Sequence, residues 1–320
     1  MANTTALIVG GAGLIGSATA RALLADGGLN VVVVDRLGPA SARKWANVPT
    51  GVSDFLPPEN LEPWLDKNWR DLAAIVCAAD APDSNDADGV FDTHFTLPKL
   101  LWGWAVAKQR GFVFASSREV YGDGPCLNET DPASIAALQP LSARGHAQRL
   151  FELSVVREAL AGNAPPFWTG FRVFDAYGLE ESHKGGRASV PFQAVQAAKA
   201  DIALSVARSW SPAIADGHHQ GDFIAARDVG ALMAEATLAA RTNGILNAGT
   251  GVATPYSAVA RMAFSAAGRQ TQLRFTEPST VEISTMQRHT CADLQALRAA
   301  GFARSFVPLS DGIAAMLTAP

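Results

Sequence analysis

Apolar positions along this 320-residue chain fall into short unbroken runs separated by longer stretches of helical spacing. Residues 6–9 form one run and 31–34 a second, and 72–79, 112–115 and 167–173 supply three more. Short runs without polar alternation fit strands buried on both faces, as in parallel sheets. Between them, 17–24, 92–108 and 143–160 read as helices, the last through Ala147, Leu150, Phe151 and Val155. The alternation predicts an α/β fold, a doubly wound parallel sheet over residues 1–174. From 175 to 221 the texture turns polar, with glycines, histidines and one helical stretch at 190–199. A late strand at 244–247 implies that about 222–250 returns to the sheet. Helical spacing resumes from 253 and closes with 293–300 and 311–317. The expected organisation is a sheet domain, 1–174 completed by 222–250, and a smaller mixed C-terminal lobe from 175–221 and 251–320.

The first strand, helix and second strand carry particular chemistry. Gly10, Gly11, Gly13 and Gly16 lie between the first run and its helix, and Asp35 closes the second run. This is the order of a Rossmann βαβ unit for a dinucleotide. Gly10 permits the tight turn, Gly13 lets the backbone approach a pyrophosphate, and Gly16 lets the helix lie close on the sheet. The helix start at Leu14 and Ile15 offers free N–H groups and the positive end of the helix dipole. Asp35 suits the hydroxyls of an adenosine ribose and favours NAD, whereas Arg36 beside it suits a 2′-phosphate. The cofactor is therefore read as NAD or NADP. Ligands of such sheets bind at the carboxyl ends of the strands, so Gly10, Ala79, Ser116 and Val173 are expected to ring one crevice.

Composition narrows the class. Hydrophobic residues make up 48% of the chain and charged residues 18%, enough apolar material for a core of this size. A formal net charge of −4 gives no basic footprint for nucleic acid. Cys77, Cys126 and Cys291 are scattered without metal-ligand spacing, which fits a reduced, cytoplasmic protein. No run reaches membrane-spanning length, and the apolar N-terminus lacks the basic flank of a signal peptide. The His218-His219 pair has no third ligand at metal spacing, so no metal is expected.

Longer motifs add a resemblance. Gly-Gly-Ala-Gly-Leu-Ile-Gly-Ser (10–17), Ala-Ser-Ser-Arg-Glu-Val-Tyr-Gly (115–122) and Phe-Arg-Val-Phe-Asp-Ala-Tyr-Gly (171–178) occur in order. His-Lys-Gly-Gly-Arg-Ala-Ser-Val (183–190), Asp-Phe-Ile-Ala-Ala-Arg-Asp-Val (222–229) and Asn-Ala-Gly-Thr-Gly (247–251) continue the register. The chain resembles the extended short-chain dehydrogenase/reductases of the NAD-dependent epimerase/dehydratase group, and within it the ADP-glycero-manno-heptose 6-epimerases. The resemblance implies a nicotinamide that takes a hydride from a sugar or nucleotide-sugar carbon and returns it. It also implies cofactor contacts from Asp54, Ala78, Ala79 and Phe174, and substrate contacts from Ser117, His183, Ser189 and Phe192. A homo-oligomer formed through the helices at 92–108 and 143–160 is a further implication.

The chain departs from that group where proton transfer takes place. A Tyr-x-x-x-Lys pair moves the substrate proton there, yet Tyr121, Tyr177 and Tyr256 are the only tyrosines and none has lysine four residues on. Register puts Arg144 at the tyrosine position and Gln148 at the lysine position. Four residues apart, they share a helix face. A guanidinium stays protonated and cannot accept a proton, while Gln148 can only hydrogen-bond a ribose. The resemblance further puts His94 where an asparagine is usual, Gly221 where an arginine binds substrate phosphate, and Asp175 where another asparagine stands. Candidates for the lost proton chemistry are Lys184, which matches a second acid/base of the heptose epimerases, Ser116, Glu119 and His94. Arg144 is a candidate contact for an anionic substrate. Two other readings stay open: a catalytically silent NAD(P)-binding sensor or partner protein, and a non-redox lyase or isomerase on the same fold.

Overall fold

The computed structural model describes residues 4–36, 42–80, 86–240 and 243–319. Strands are numbered in chain order. The main sheet contains β1 (Thr5–Val9), β2 (Asn30–Val34), β3 (Asp54–Leu56), β4 (Leu72–Cys77), β5 (Gly111–Ser117), β6 (Trp168–Val173) and β10 (Asn243–Ala248). Their spatial order is β10-β6-β5-β4-β1-β2-β3, and every pairing is parallel. The winding reverses between β1 and β4, so the carboxyl ends of these two strands open a crevice of the kind that binds ligands.

Strand side chains alternate between faces. Leu7, Val9, Val32, Val34, Phe112 and Phe114 pack with Trp102 and Phe151 on one side. Ala6, Ile8, Val31, Val33, Val113 and Phe171 pack with Leu23, Val229 and Met233 on the other. Burial on both faces is why the strands read as unbroken apolar runs. The helices Leu97–Lys108 and Ala143–Leu160 cover the first face, and Leu14–Asp26 and Ala226–Ala239 the second. The latter two come into close contact at Gly230, where a Cβ would lie 2.4 Å from the Ala18 carbonyl carbon.

The remaining segments form the smaller lobe. Here β7 (Asp175–Tyr177) pairs parallel with β9 (Gln220–Ala225), which pairs antiparallel with β11 (Ala253–Pro255). A separate parallel pair joins β8 (Leu204–Ala207) to β12 (Leu273–Thr276). Val195, Phe223, Phe264 and Ile313 form its core with the helices Val190–Ala200, Tyr256–Ala266 and Leu309–Thr318. These short strands escaped the apolar pattern because most are three or four residues long.

Two helices differ from expectation. The 92–108 stretch enters through Ala87–Phe91 and a wide π-type turn, Asp92–Thr96, before Leu97–Lys108. Pro98 has no N–H to return to the preceding turn, which favours a wider turn there. The 293–300 stretch is helical only over Gln295–Ala299. Among the described residues, no helix is long and apolar enough to cross a membrane.

Candidate active site

The glycine turn after β1 sits at the switch point. Gly10 has φ +83°, and a Cβ there would lie 2.6 Å from the backbone of Ala78 and Ala79. A Cβ at Gly16 would lie 2.2 Å from the Gly10 carbonyl oxygen, and one at Gly11 2.6 Å from the Val33 side chain. Ala78 donates its N–H to the Val9 carbonyl, which holds the two strand ends together. Gly13 is the N-cap of Leu14–Asp26, and no side chain caps that helix. Its first N–H groups, at Leu14 and Ile15, are therefore left for an anion. Around a Cβ on Gly13 the nearest atoms are the Gly10 oxygen at 3.2 Å and the Lys44 Cε at 4.0 Å, so its bare face forms a cradle. The turn fits a dinucleotide pyrophosphate.

Asp35 lies beside this cradle. Its Oδ2 accepts the Ala12 N–H at 2.9 Å, and its Oδ1 accepts the Arg36 N–H at 2.8 Å and the Lys44 ammonium at 2.7 Å. The Arg36 side chain is exposed. Lys44, with no distinguishing pattern around it in the sequence, thus joins the ribose corner. Asp54 does not. It starts β3 opposite Val32, exposed, and its carboxylate accepts the neighbouring Phe55 N–H. The end of β3 reaches Asp35 instead, since the Asp35 N–H donates to the Leu56 carbonyl. Phe174 is buried with Val120, Tyr121 and Ala292 rather than facing the glycine turn.

The second half of the site is built on Ala143–Leu160. Ser142 caps this helix by accepting the Gly145 N–H at 3.0 Å, and donates its own hydroxyl to Glu119. Gly145 lets the helix press on the turn after β5, because a Cβ there would lie 2.6 Å from the Glu119 carbonyl oxygen. Arg144 therefore meets Glu119 at 3.3 Å and reaches across to Asp80, just beyond β4. His94 lies 3.5 Å from both Arg144 and Asp80. One helical turn on, Gln148 accepts the Ser117 hydroxyl at 2.6 Å. Four sequence candidates, Glu119, His94, Arg144 and Gln148, are thus gathered at the carboxyl ends of β4 and β5.

The two serines divide otherwise than expected. Ser116 is 4% exposed and donates to Glu152 at 2.6 Å. Glu152 is fully buried in an ion pair with Arg172, whose Nη1 also donates to the Tyr121 oxygen. Ser116 is therefore spent on the interior of the sheet, and Ser117 is the hydroxyl beside Gln148. Both acceptors lie on Ala143–Leu160 one turn apart, Glu152 deeper against the sheet and Gln148 nearer the helix start that carries Arg144.

Electrostatics fixes the protonation of the cluster. Burial pushes the Glu119 carboxyl up, but the Arg144 charge, the Ser142 hydroxyl and the Arg118 charge outweigh it and hold the group below the usual carboxylate range. Asp80 behaves in the same way: burial raises it, and Arg144, His94 and Lys184 together hold it well below its ordinary value. His94 is pushed down, chiefly by burial and further by Arg144, against the opposing pull of Asp80 and Glu119. It is the neutral imidazole at neutral pH. For Arg144, burial is outweighed by Asp80 and Glu119, so the guanidinium stays charged.

Lys184 lies across the crevice, near enough for its charge to reach Asp80, and is held 3.3 Å from Glu181. His183 contacts the Glu180 carbonyl at 2.8 Å through Nδ1. Ser189 caps Val190–Ala200 and gives its hydroxyl and N–H to Glu181. That assigns Ser189 a structural task in place of the expected substrate contact. Phe192 lines an open groove of about 510 Å³ with Gln193, Gln196 and Ile202, away from the Arg144 cluster. Among the described residues, no group of three or more His, Cys, Asp or Glu could hold a metal ion. Sequence reasoning missed Asp80, Lys44 and the Glu152–Arg172 pair. For Asp80 the available signal was an acid directly after an apolar run.

Comparison with known proteins agrees with this fold. Residues 6–249 match the profile of the NAD dependent epimerase/dehydratase family. An ADP-L-glycero-D-manno-heptose-6-epimerase of Nitratidesulfovibrio vulgaris is 30% identical over 96% of this chain and 95% of its own. One of the same name from Fusobacterium nucleatum is 28% identical, again over 96% and 95%. Among solved structures, the Thermus thermophilus UDP-glucose 4-epimerase in complex with NAD superposes with a TM-score of 0.79 at 22% identity, covering 98% of both chains. The Helicobacter pylori ADP-L-glycero-D-manno-heptose-6-epimerase gives 0.78 at 21% identity, over 98% of this chain and 95% of that one.

Proposed function

Because the chain belongs to the NAD dependent epimerase/dehydratase family, we propose that it is an NAD(P)-dependent enzyme acting on a nucleotide-linked sugar, with a carboxylate and a lysine taking over proton transfer. The observation that carries this reading is the cluster of Asp80, His94, Glu119 and Arg144 at the position of the missing phenol, with Lys184 opposite. The glycine turn, Asp35 and Lys44 hold the cofactor, and the bound nicotinamide supplies the hydride acceptor. Glu119, kept ionised by Arg144, accepts a substrate hydroxyl proton. Lys184, anchored by Glu181, can exchange a proton from the other side of the crevice, as the family resemblance implies. Ser117 and Gln148 position the reacting oxygen and the nicotinamide ribose. The sugar lies between the sheet and the lobe formed by 175–221 and 251–320.

Purified protein is expected to carry NAD(P), identified by mass, and to change its nicotinamide absorbance when ADP- or UDP-linked sugars are added. Glu119→Gln should then lower turnover by about 10²-fold or more, the usual worth of general acid–base help, and Lys184→Ala should lower it as well. Unchanged turnover in both variants sinks the assignment. A second reading rests on Arg144 alone. It ties up Asp80 and Glu119 together, which suits a catalytically silent NAD(P)-binding protein. Bound cofactor that never changes, with no product formed, would select that reading, whereas product formed with the cofactor unchanged would select a non-redox lyase or isomerase.

A further inference from the structure

Arg118 follows Ser117 and points out of the sheet domain into the smaller lobe. Its Nε and Nη2 donate to Asp175 Oδ1 at 2.9 and 2.6 Å, and its Nη1 donates to Gln287. Gln287 is buried and is itself fixed by donating to the Arg118 and Gly122 carbonyls. The guanidinium is thus clamped at the seam between the two lobes. Three of its five N–H donors are engaged in these contacts. The side chain keeps 20% of its surface exposed, so the seam does not seal it.

Backbone packs closely against this clamp. Next to Asp175 stands Gly221, where a Cβ would lie 2.8 Å from Asp175 Oδ2, so β9 sends no side chain to this carboxylate. Tyr256 opens the helix Tyr256–Ala266 close enough to feel the charges of both Arg118 and Asp175. Glu119, the adjacent residue, belongs to the Arg144 cluster, so Arg118 stands one residue from the proposed chemistry. A largely buried ion pair is a weak source of stability, because desolvation offsets most of the attraction. A guanidinium oriented by a carboxylate and an amide, with donors to spare, is suited to forked recognition of an oxyanion.

We propose that Arg118 is the substrate's anion anchor: its open N–H groups bind phosphate oxygens of a nucleoside diphosphate. This rests on the nucleotide-sugar reading above. It supplies from the turn after β5 the cation that the family register would have delivered from position 221. The proposed contact fixes the phosphate end of the substrate while the sugar end extends toward Glu119 and Ser117.

Calorimetric titration of ADP and of UDP into protein already saturated with NADH or NADPH tests this, because the cofactor then blocks the glycine turn. Wild-type protein is expected to bind at least one of them. Arg118→Ala should weaken that binding by about tenfold or more, a loss of about 1.4 kcal/mol. Arg118→Lys, which keeps the charge for Asp175 but not the fork, should weaken it several-fold. Cofactor affinity should be unchanged in both. A purely structural Arg118 would lower Tm while leaving nucleotide affinity intact. Equal binding by wild type and by the folded variants overturns the anchor and spares the nucleotide-sugar reading. If Arg118→Ala does not fold, Arg118→Lys decides alone. Absence of ADP and UDP binding by wild type overturns both.

Discussion

The chemical consequence of the guanidinium at position 144, where the resemblance expects a tyrosine, is electrostatic. Arg144 cannot relay a proton, but its charge holds the Asp80 and Glu119 carboxyls down against the upward push of burial. The pH dependence of stability should show this. The folded pKa of Glu119 lies below its ordinary 4.5. Its contribution is therefore fully present above pH 4.5 and is lost as pH falls through the lower, folded value. Melting curves of Glu119→Gln should run parallel to wild type above pH 4.5 and fall less steeply below it. Identical acid limbs would show that Arg144 does not hold Glu119 ionised. His94, neutral beside this cluster, adds no charge to it at neutral pH.

The glycine turn shows how an element is fixed by what its residues lack. Gly16 is in the first turn of Leu14–Asp26, where any Cβ would sit 2.2 Å from the Gly10 carbonyl oxygen. That obstacle is backbone, which cannot rotate away. Gly16→Ala should therefore push the helix off the strand, cost about 1–3 kcal/mol of stability, and weaken cofactor binding. Chemical denaturation and cofactor titration check the two effects separately. The helix Ala143–Leu160 follows the same logic at Gly145, whose missing side chain lets Arg144 approach Glu119. Closer packing there is what turns two residues far apart in the chain into one charge cluster.

For the whole molecule, the seam between the lobes and the outer faces of two helices carry the remaining expectations. Leu100 and Leu150, on Leu97–Lys108 and Ala143–Leu160, are exposed large apolar residues on the two helices that the resemblance assigns to self-association. Sedimentation should find an oligomer, and Leu150→Glu should shift it toward monomer. A monomeric wild type would remove that role. The proposed crevice is built from both lobes: the segments after β4 and β5 supply Asp80 and Glu119, and the 179–187 segment supplies Lys184.

The sequence by itself determined the parallel sheet and the cofactor turn. Burial on both faces leaves continuous apolar runs, and glycine spacing records backbone contacts that are local along the chain. It also revealed the missing Tyr-x-x-x-Lys pair, because a residue type at a fixed register can be read directly. Only the tertiary structure decided what surrounds positions 144 and 148. Asp80, Lys44 and the Arg118–Asp175–Gln287 clamp are defined by partners 9 to 169 residues away. The roles of Ser116 and Ser117 likewise depended on which residue of Ala143–Leu160 each one meets, Glu152 or Gln148, 36 and 31 residues away in the chain. Hydrogen-bond and ion-pair partners are set by packing across the fold, and no local pattern in the chain encodes them.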